Sequence, residues 1–263
     1  MINIVIPMAG LGKRFSNKEN YTPKAFVDVG GKPMFIRVIE NFQHPKVRFI
    51  ILARTEDLQL EIDMVEEVKK KYNIEIISID ILTEGTVCTV LHARSLINNG
   101  IPLLIVMADQ LINFSFKKYL KACYQDNSDG NLVCFTKKEP DIHLSYVKVN
   151  EAGYVSLVKE KKVISNTATA GIYYFKKGED FVNGAIDMII NNDRVNNEFY
   201  VAPVYNYLIS QNLKIGTYKI NSDQLIDLGT EEKLEAFNKY LLSKATKRNG
   251  KLIIEPYQKW KQG

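Results

Sequence analysis

A glycine-rich loop followed by two cations is the clearest sign of chemistry in this sequence. The apolar, β-branched run at residues 2–6 is typical of a buried strand. Gly10 and Gly12 follow it and allow backbone N–H groups to approach a ligand closely. Arg14 and Lys24 come next, and two cations beside such a loop suit a polyphosphate. The start of the chain therefore predicts a site for a phosphorylated ligand.

Two common phosphate-binding signatures do not fit this loop. The dinucleotide fingerprint Gly-x-Gly-x-x-Gly lacks its third glycine here. The P-loop requires Ser or Thr after Gly-Lys, but Arg14 follows Gly12-Lys13. What remains is Gly-x-Gly-x-Arg, then Pro-Lys at residues 23–24 and Gly-Lys-Pro-Met at residues 31–34. This composite resembles the signature of the nucleotidylyltransferases that make sugar nucleotides, such as glucose-1-phosphate thymidylyl- and uridylyltransferases.

Two aspartates, far apart in the sequence, are candidate ligand-binding residues. Asp109 follows an apolar run, and ligands of open α/β folds bind at the carboxyl edge of the strands. From the residues alone, helix capping explains Asp109 equally well. Asp227 precedes the last predicted helix, which Thr230 alone could cap. The resemblance implies that Asp109 and Asp227 hold Mg²⁺, an ion that takes few protein carboxylates.

The second half of the chain carries residues that match the acceptor side of the same family. The resemblance implies that Glu160 binds sugar hydroxyls, that Lys161 binds the sugar phosphate and that Gly171 belongs to the same site. From the residues alone, a run of charges such as residues 159–162 is more typical of a solvated turn, and only its spacing to Gly171 and Asp227 favours a function. Glu198 precedes a predicted helix, where contact with the acceptor and helix capping are both open.

The resemblance also implies which residues bind the nucleotide. They lie in the loops after two predicted strands and comprise Ala9, Gly10, Leu11, Gly12, Lys13, Gly85 and Thr86. Asp80 stands where relatives often carry a Gln that pairs with thymine or uracil, and an ionised carboxylate cannot donate in the same way. The nucleobase is therefore left open, with CTP and GTP among the candidates.

Alternating helical and strand patterns predict the architecture. The predicted strands are residues 2–6, 47–53, 74–79, 101–107, 132–136, 146–149, 155–160, 171–175 and 215–220. The predicted helices are residues 34–41, 56–72, 86–98, 116–124, 179–191, 201–211 and 230–242. We expect a Rossmann-like three-layer α/β/α sandwich with a mostly parallel central sheet and a smaller sheet in the acceptor-binding region.

The predicted organisation is one domain with a short tail. Residues 1–243 form a nucleotidylyltransferase domain, with a nucleotide-binding half at 1–115 and an acceptor-binding half at 116–243. Residues 244–263 form a basic C-terminal extension, for which a packed element and a mobile tail are both open. The sequence leaves a homo-oligomer open as well.

Composition excludes several classes of protein. The net charge is +5, but the lysines are dispersed, so no nucleic-acid partner is expected. No apolar stretch approaches the ~18 residues of a membrane span, and the start does not resemble a secretory signal. Three dispersed cysteines indicate a reducing compartment. These features predict a cytoplasmic protein with no membrane partner.

The predicted reaction is attack by a sugar 1-phosphate on the α-phosphorus of a nucleoside triphosphate. Arg14, Lys24 and Lys161 would be the catalytic cations and Mg²⁺ the cofactor, and pyrophosphate would leave. The resemblance implies a role in surface-polysaccharide biosynthesis.

A cytidylyltransferase for phosphocholine or a polyol phosphate is the main alternative. A glycosyltransferase would usually carry Asp-x-Asp where this chain has Asp109-Gln110-Leu111, and a nucleotide sensor would gain little from a carboxylate pair.

Overall fold

A computed structural model describes residues 1–10, 22–244, 246–248 and 251–253, the last two segments by their backbone alone. Its contacts divide the chain into two compact units. The first unit consists of Met1–Gly10, His44–Met107 and Lys117–Ser222. The second consists of the described parts of Leu11–Gln43, Ala108–Phe116 and Asp223–Gly263.

Strands and helices alternate along most of the described chain. The strands are β1 (Ile2–Pro7), β2 (Val47–Arg54), β3 (Ile74–Ile79), β4 (Leu103–Val106), β5 (Gln110–Ile112), β6 (Gly130–Thr136), β7 (Ser145–Val149), β8 (Val155–Glu160), β9 (Thr167–Phe175), β10 (Ile215–Ile220), β11 (Leu225–Asp227), β12 (Thr246–Arg248) and β13 (Lys251–Ile253). The helices are α1 (Met34–Asn41), α2 (Thr55–Leu60), α3 (Ile62–Lys71), α4 (Thr86–Leu91), α5 (Arg94–Ile97), α6 (Phe116–Gln125), α7 (Gly178–Ile190), α8 (Val204–Ser210) and α9 (Glu231–Lys244), with 3-10 turns at Lys24–Phe26 and Ser222–Gln224.

The first unit contains a nine-stranded sheet in the order β10-β6-β9-β4-β1-β2-β3, from which β7 and β8 branch at β9. Strands β4, β1, β2 and β3 are parallel neighbours, as are β10 and β6. Strand β9 runs antiparallel to both β4 and β6. The predicted α/β class with a mostly parallel central sheet is confirmed, and β9 is the strand that reverses direction.

The core of the first unit is apolar and aromatic. Strands β1, β4 and β9 pack against α7 and α8, and the burial of this apolar surface provides the main stabilising free energy. Phe175 stacks on Tyr205 with ring centroids 4.5 Å apart. The buried Tyr205 hydroxyl donates a hydrogen bond to the Tyr174 carbonyl at 2.8 Å, which satisfies its polar end. This core holds the loops at the strand ends in place.

The second unit is held together by polar links between segments distant in sequence. Strands β5 and β11 pair antiparallel. The side chain of Asn41 at the end of α1 exchanges hydrogen bonds with the backbone of Ile112, donating at 2.9 Å and accepting at 2.7 Å. The Gly30 N–H donates to Asn238 Oδ1 at 2.9 Å, which joins the loop before α1 to α9. Strands β12 and β13 form a separate antiparallel pair.

Three predicted helices differ from the observed ones. The helix predicted over residues 56–72 is split at Glu61, whose φ of −118° and ψ of 31° leave the helical region. The helix predicted over 86–98 is split because the His92 and Ala93 N–H groups bond three residues back, which tightens the backbone. The helix predicted from residue 201 begins at Val204, after Pro203, a residue well suited to a helix start.

Two of the cysteines are buried. Burial raises the pKa of the Cys123 and Cys134 thiols to about 12, so both stay protonated near neutral pH. Their packing role agrees with the apolar runs around them. Across the described residues, no helix is both long and apolar enough to cross a membrane.

Candidate functional site

The pairing of β5 with β11 brings together the two predicted metal ligands in the second unit. Asp109 directly precedes β5, and Asp227 is the last residue of β11. In the antiparallel register Asp227 lies opposite Gln110, the neighbour of Asp109. The Leu228 N–H donates to the Asp109 carbonyl at 2.9 Å and extends this pairing by one residue. Backbone hydrogen bonds therefore position both carboxylates.

Gly229 is the point that both carboxylates approach. A Cβ atom on residue 229 would lie 2.8 Å from Asp227 Oδ1 and 3.5 Å from Asp109 Oδ2. The Gly229 N–H donates to Asp227 Oδ1 at 2.8 Å, which fixes that carboxylate over the turn. The absence of a side chain at residue 229 leaves room for the two carboxylates beside its backbone.

Two lysines pair with these carboxylates. Lys24 Nζ donates to Asp109 Oδ2 at 2.5 Å and to the Gly229 carbonyl at 3.4 Å. Lys233, from the first turns of α9, donates from Nζ to Asp227 Oδ2 at 2.5 Å. The side chains of Lys24, Asp109 and Asp227 are about one quarter exposed, whereas Lys233 is 47% exposed. We call Lys24, Asp109, Asp227, Gly229 and Lys233 the carboxylate cluster.

The carboxylate cluster fits a hard divalent cation. Its donors are carboxylate oxygens, and Mg²⁺ usually takes only one or two protein carboxylates because phosphate and water supply the remaining ligands. The space that a Cβ on Gly229 would fill adjoins an oxygen of each carboxylate. No group of three or more His, Cys, Asp or Glu side chains suited to a metal occurs in the described chain. The residues therefore suit a cation shared with a phosphorylated ligand.

The predicted acceptor residues form a second group, in the first unit. Lys161 has a left-handed backbone with a φ of +51°, and its N–H donates to the Leu144 carbonyl at 3.0 Å. Its Nζ donates to the Tyr200 hydroxyl and lies 4.4 Å from the centre of that ring. The Tyr200 hydroxyl in turn donates to Glu198 Oε2. Tyr200 thus links two residues that the sequence assigned to the acceptor.

Glu160 is the buried member of this second group. Its carboxylate accepts a hydrogen bond from the Ser145 hydroxyl, across the antiparallel pairing of β7 with β8. Burial raises the pKa of the Glu160 carboxyl, with a further increase from Glu198, while Ser145 and Lys161 oppose the shift. We call Ser145, Glu160, Lys161, Glu198 and Tyr200 the acceptor cluster.

Gly85 packs against the segment that carries Glu198 and Tyr200. Its φ is +113°, and a Cβ there would lie 2.5 Å from the Phe199 nitrogen and 2.6 Å from the Phe199 oxygen. The Phe199 N–H donates to the Glu84 carbonyl at 2.8 Å, and the Val87 N–H donates to the Phe199 carbonyl at 3.0 Å. Gly85 therefore has a packing requirement in addition to its predicted contact with the nucleobase.

The other predicted nucleotide-binding residues are placed as follows. Ala9 is buried after β1, and Thr86 is the first residue of α4. Among the described residues beyond its chain neighbours, none lies within 4 Å of the Cβ position of Gly10. The remaining loop residues fall outside the described part of the chain, namely Leu11, Gly12, Lys13 and Arg14. Their predicted roles stay predictions.

Gly171 and Asp80 each accept a hydrogen bond from a neighbouring segment. Gly171 lies in β9 with a φ of +69°, and its carbonyl accepts a hydrogen bond from the Met107 N–H at 3.3 Å. Asp80 Oδ1 accepts a hydrogen bond from the Thr55 hydroxyl at 2.5 Å on the exposed surface. A Gln-like donor for a nucleobase is therefore absent at residue 80 itself.

Four functional candidates emerge only from the structure. Lys233 lies three residues after Thr230, the predicted helix cap, and Ser145 directly precedes a predicted strand, so neither is part of a motif named above. Tyr200 and Arg194 carried no motif, although Arg194 pairs with Glu84 at 2.9 Å and lies over the Phe199 ring. No motif could reveal them, because the contacts range from near neighbours, such as Lys233 with Asp227, to distant residues, such as Arg194 with Glu84.

Comparison with known proteins identifies a family model over nearly the whole chain and curated relatives over about two thirds of it. The family model described as Nucleotidyl transferase matches residues 4–242. Mannose-1-phosphate guanylyltransferase catalytic subunit beta of Dictyostelium discoideum is 27% identical over 174 residues, covering 65% of this chain and 48% of that protein. The same subunit of Danio rerio is 26% identical over 175 residues, covering 65% and 49%. The chain thus spans about half the length of these curated relatives.

Solved structures share the fold. A nucleoside-diphosphate-sugar pyrophosphorylase from Vibrio cholerae RC9 has a TM-score of 0.75 and 24% identity, covering 90% of this chain and 99% of its own. A putative glucose-1-phosphate thymidylyltransferase from Bacillus anthracis has a TM-score of 0.69 and 14% identity, covering 91% and 95%. An inositol-1-phosphate CTP transferase from T. maritima has a TM-score of 0.69 and 12% identity, covering 90% and 95%. At these identities the likeness concerns the fold.

Proposed function

The chain belongs to the nucleotidyl transferase family, and from this premise we propose that it joins a nucleoside triphosphate to a sugar 1-phosphate. An oxygen of the sugar phosphate forms a bond to the α-phosphorus. The bond from that phosphorus to the bridging oxygen breaks, and pyrophosphate leaves with the electron pair. A phosphate monoester is already largely dianionic near neutral pH, because its second pKa is about 6. The reaction therefore needs no general base.

The carboxylate cluster is the observation that carries this proposal. A reaction between two anions requires positioning and charge stabilisation more than proton transfer. Asp109 and Asp227 would hold Mg²⁺, because their oxygens adjoin the same space beside Gly229. Bound there, Mg²⁺ would neutralise charge on the phosphate under attack. Lys24, which donates to Asp109 at 2.5 Å, would stabilise the same phosphate.

The acceptor cluster supports the choice of a phosphorylated hydroxyl compound. Lys161 supplies an ammonium group for the acceptor phosphate, and Tyr200 fixes the direction of that group. Glu160 and Glu198 supply carboxylate oxygens that can accept hydrogen bonds from sugar hydroxyls. The combination of a cation with nearby acceptors matches a compound that has both a phosphate and free hydroxyl groups.

The proposed binding site for the leaving pyrophosphate is the loop after β1. We assign it to Arg14 together with the N–H groups of Gly10, Leu11 and Gly12, with Lys13 beside them. Ala9, Gly85 and Thr86 complete the proposed nucleotide site. These assignments rest on the sequence motif, since most of the loop falls outside the described residues.

The curated relatives guide the choice of substrates. They are named mannose-1-phosphate guanylyltransferases, so GTP with mannose 1-phosphate is the first pair to test. A product of this kind is an activated sugar, which would serve surface-polysaccharide synthesis in the cytoplasm.

A second candidate is transfer of a cytidylyl group to a non-sugar phosphate. One solved structure of the same fold is named an inositol-1-phosphate CTP transferase. Leu144-Ser145 stands where the resemblance implies a Tyr-Gly pair that shapes the sugar site, and the Ser145 hydroxyl donates a hydrogen bond to a Glu160 oxygen. Because Ser145 already binds one Glu160 oxygen, fewer positions on Glu160 can accept hydrogen bonds from an acceptor hydroxyl. This difference favours an acceptor other than a sugar 1-phosphate.

A substrate panel tests both candidates. Purified full-length protein with Mg²⁺ is incubated with ATP, CTP, GTP, UTP or dTTP and with mannose 1-phosphate, glucose 1-phosphate, inositol 1-phosphate or phosphocholine. Pyrophosphate release is measured, with acceptor-free reactions as the control for hydrolysis. Release that requires a sugar 1-phosphate supports the main proposal, and release only with CTP and a non-sugar phosphate supports the second. No acceptor-dependent release with any pair contradicts both.

A further inference from the structure

Lys233 contacts a proposed metal ligand although the sequence motif gives it no role. Its Nζ donates to Asp227 Oδ2 at 2.5 Å. The other oxygen of Asp227 accepts a hydrogen bond from the Gly229 N–H at 2.8 Å. Both oxygens of Asp227 are therefore engaged within the protein.

The charges of the carboxylate cluster are balanced. Asp109 pairs with Lys24 and Asp227 pairs with Lys233, each at 2.5 Å. A divalent cation entering this cluster would meet two ammonium groups, and like charges at such distances repel even in a partly solvated environment. The cation must therefore compete with the lysines for the carboxylates.

We propose that Lys233 is a positioning residue that holds Asp227 while no divalent cation is bound and that competes with the cation for this carboxylate. The inference rests on the proposed function, because that function assigns the cation to Asp109 and Asp227. The space beside Gly229 adjoins Asp227 Oδ1, whereas Lys233 binds Oδ2, so the ammonium group competes by neutralising the charge of the shared carboxylate. The free protein should consequently bind a divalent cation weakly, and the negative charge of a triphosphate should favour binding of the two together.

The test measures Mn²⁺ binding to the full-length protein without nucleotide, from the electron paramagnetic resonance signal of the free ion. Lys233→Met removes the competing ammonium group, and we expect Mn²⁺ affinity to increase about three- to fivefold, the size typical of a half-exposed ion pair. Lys239→Met is the matched control, because Lys239 is on the same helix and pairs with Glu235 at 4.0 Å. Its Mn²⁺ affinity should equal that of the wild type.

Two further variants separate competition from a general structural effect. Lys233→Arg keeps the positive charge, so this variant should bind Mn²⁺ as weakly as the wild type does. Adding Asp227→Asn to Lys233→Met should abolish the gain, because the freed carboxylate is then lost. Lys233→Gln repeats the test if the methionine variant does not fold. Unchanged or weaker Mn²⁺ binding in a folded Lys233→Met or Lys233→Gln protein would overturn the inference.

This result is separable from the substrate panel. Tighter Mn²⁺ binding in Lys233→Met together with no pyrophosphate release from any substrate pair would support the inference and contradict the proposed function. Pyrophosphate release by the wild type together with unchanged Mn²⁺ binding in Lys233→Met would support the proposed function and contradict the inference.

Discussion

Asp109 and Asp227 both present a carboxylate oxygen to the position of the Cβ that Gly229 lacks, at 3.5 Å and 2.8 Å. The antiparallel pairing of β5 with β11 creates this relationship by aligning Asp227 with the residue after Asp109. Lys24 and Lys233 each pair with one of the two carboxylates. The space next to a single glycine backbone is therefore central to the proposed chemistry.

Gly229→Ala should reduce pyrophosphate release by about 10²-fold, because small displacements of positioned groups have effects of this size. The new methyl group would lie 2.8 Å from Asp227 Oδ1 and would displace that carboxylate. Gly100→Ala is the matched control, since no atom of the described residues, apart from its chain neighbours, lies within 4 Å of the added Cβ. Thermal melting by circular dichroism should show that both variants are folded. Wild-type turnover in Gly229→Ala would contradict the role assigned to this space.

Gly85→Ala should destabilise the protein more than Gly153→Ala does. Both glycines have a positive φ, so either substitution should cost about 1–3 kcal/mol in backbone strain. The Cβ at residue 85 would also lie 2.5 Å from the Phe199 nitrogen, whereas residue 153 has open space. We expect this overlap to add about 1–3 kcal/mol to the loss in the free energy of unfolding. Equal losses in urea unfolding would show that the close approach of Phe199 is unimportant.

Tyr200→Phe should raise the KM for the acceptor about tenfold, since hydrogen bonds to charged groups contribute roughly 1.5–3 kcal/mol. The substitution removes the hydroxyl that links Lys161 to Glu198 but keeps the ring. Tyr207→Phe provides the control, because it removes an exposed hydroxyl bonded to Asp193 at 3.4 Å. The KM for the nucleotide should stay unchanged in both variants. A Tyr200→Phe enzyme with a normal acceptor KM would argue against the acceptor cluster.

The buried Glu160 carboxyl should make stability depend on pH. Burial raises its pKa in the folded protein, so the folded state holds this proton more tightly than the unfolded chain. The resulting stabilisation is complete below the ordinary carboxyl pKa and is lost as the pH rises through the raised value. Relative to Glu160→Gln, the wild-type free energy of unfolding should therefore fall with rising pH across this window.

Urea unfolding at a series of pH values measures this difference. Glu235→Gln is the control, because the Glu235 side chain is 71% exposed. The difference between the wild type and Glu235→Gln should change less with pH. A wild-type stability that increases relative to Glu160→Gln as the pH rises would show that the carboxyl is stabilised in its ionised form.

The sequence predicted the regular elements well because their patterns are local. The bounds of α1, β3, β8 and β10 agree with the predicted ones, since each element shows a clear apolar pattern or a proline at its start. Strands β5 and β11 were missed because three residues are too few to show a periodicity, and their pairing joins distant segments. The reversed direction of β9 is likewise a tertiary property.

Motifs named several of the residues that the structure groups. It brings Asp109, Asp227 and Lys24 together and links Glu160, Lys161 and Glu198 through shared contacts, while the roles assigned to them stay predictions. Lys233 and Tyr200 could not be found in this way, because a lysine in a helix and a tyrosine before one are ordinary surface residues. Lys233 contacts Asp227 six residues before it, and Tyr200 contacts both Glu198 nearby and the distant Lys161, so the fold of each turn decides the contact.

The most direct test of the central claim is pyrophosphate release by Asp109→Asn and Asp227→Asn with the substrate pair that the wild type uses. Each variant keeps the side-chain size but removes a charge from the carboxylate cluster, and the rate should fall about 10²–10³-fold in a protein that melts normally. Asp187→Asn, which alters an exposed carboxylate bonded to Gln211, should retain wild-type activity. Wild-type rates of release in both cluster variants would contradict the account.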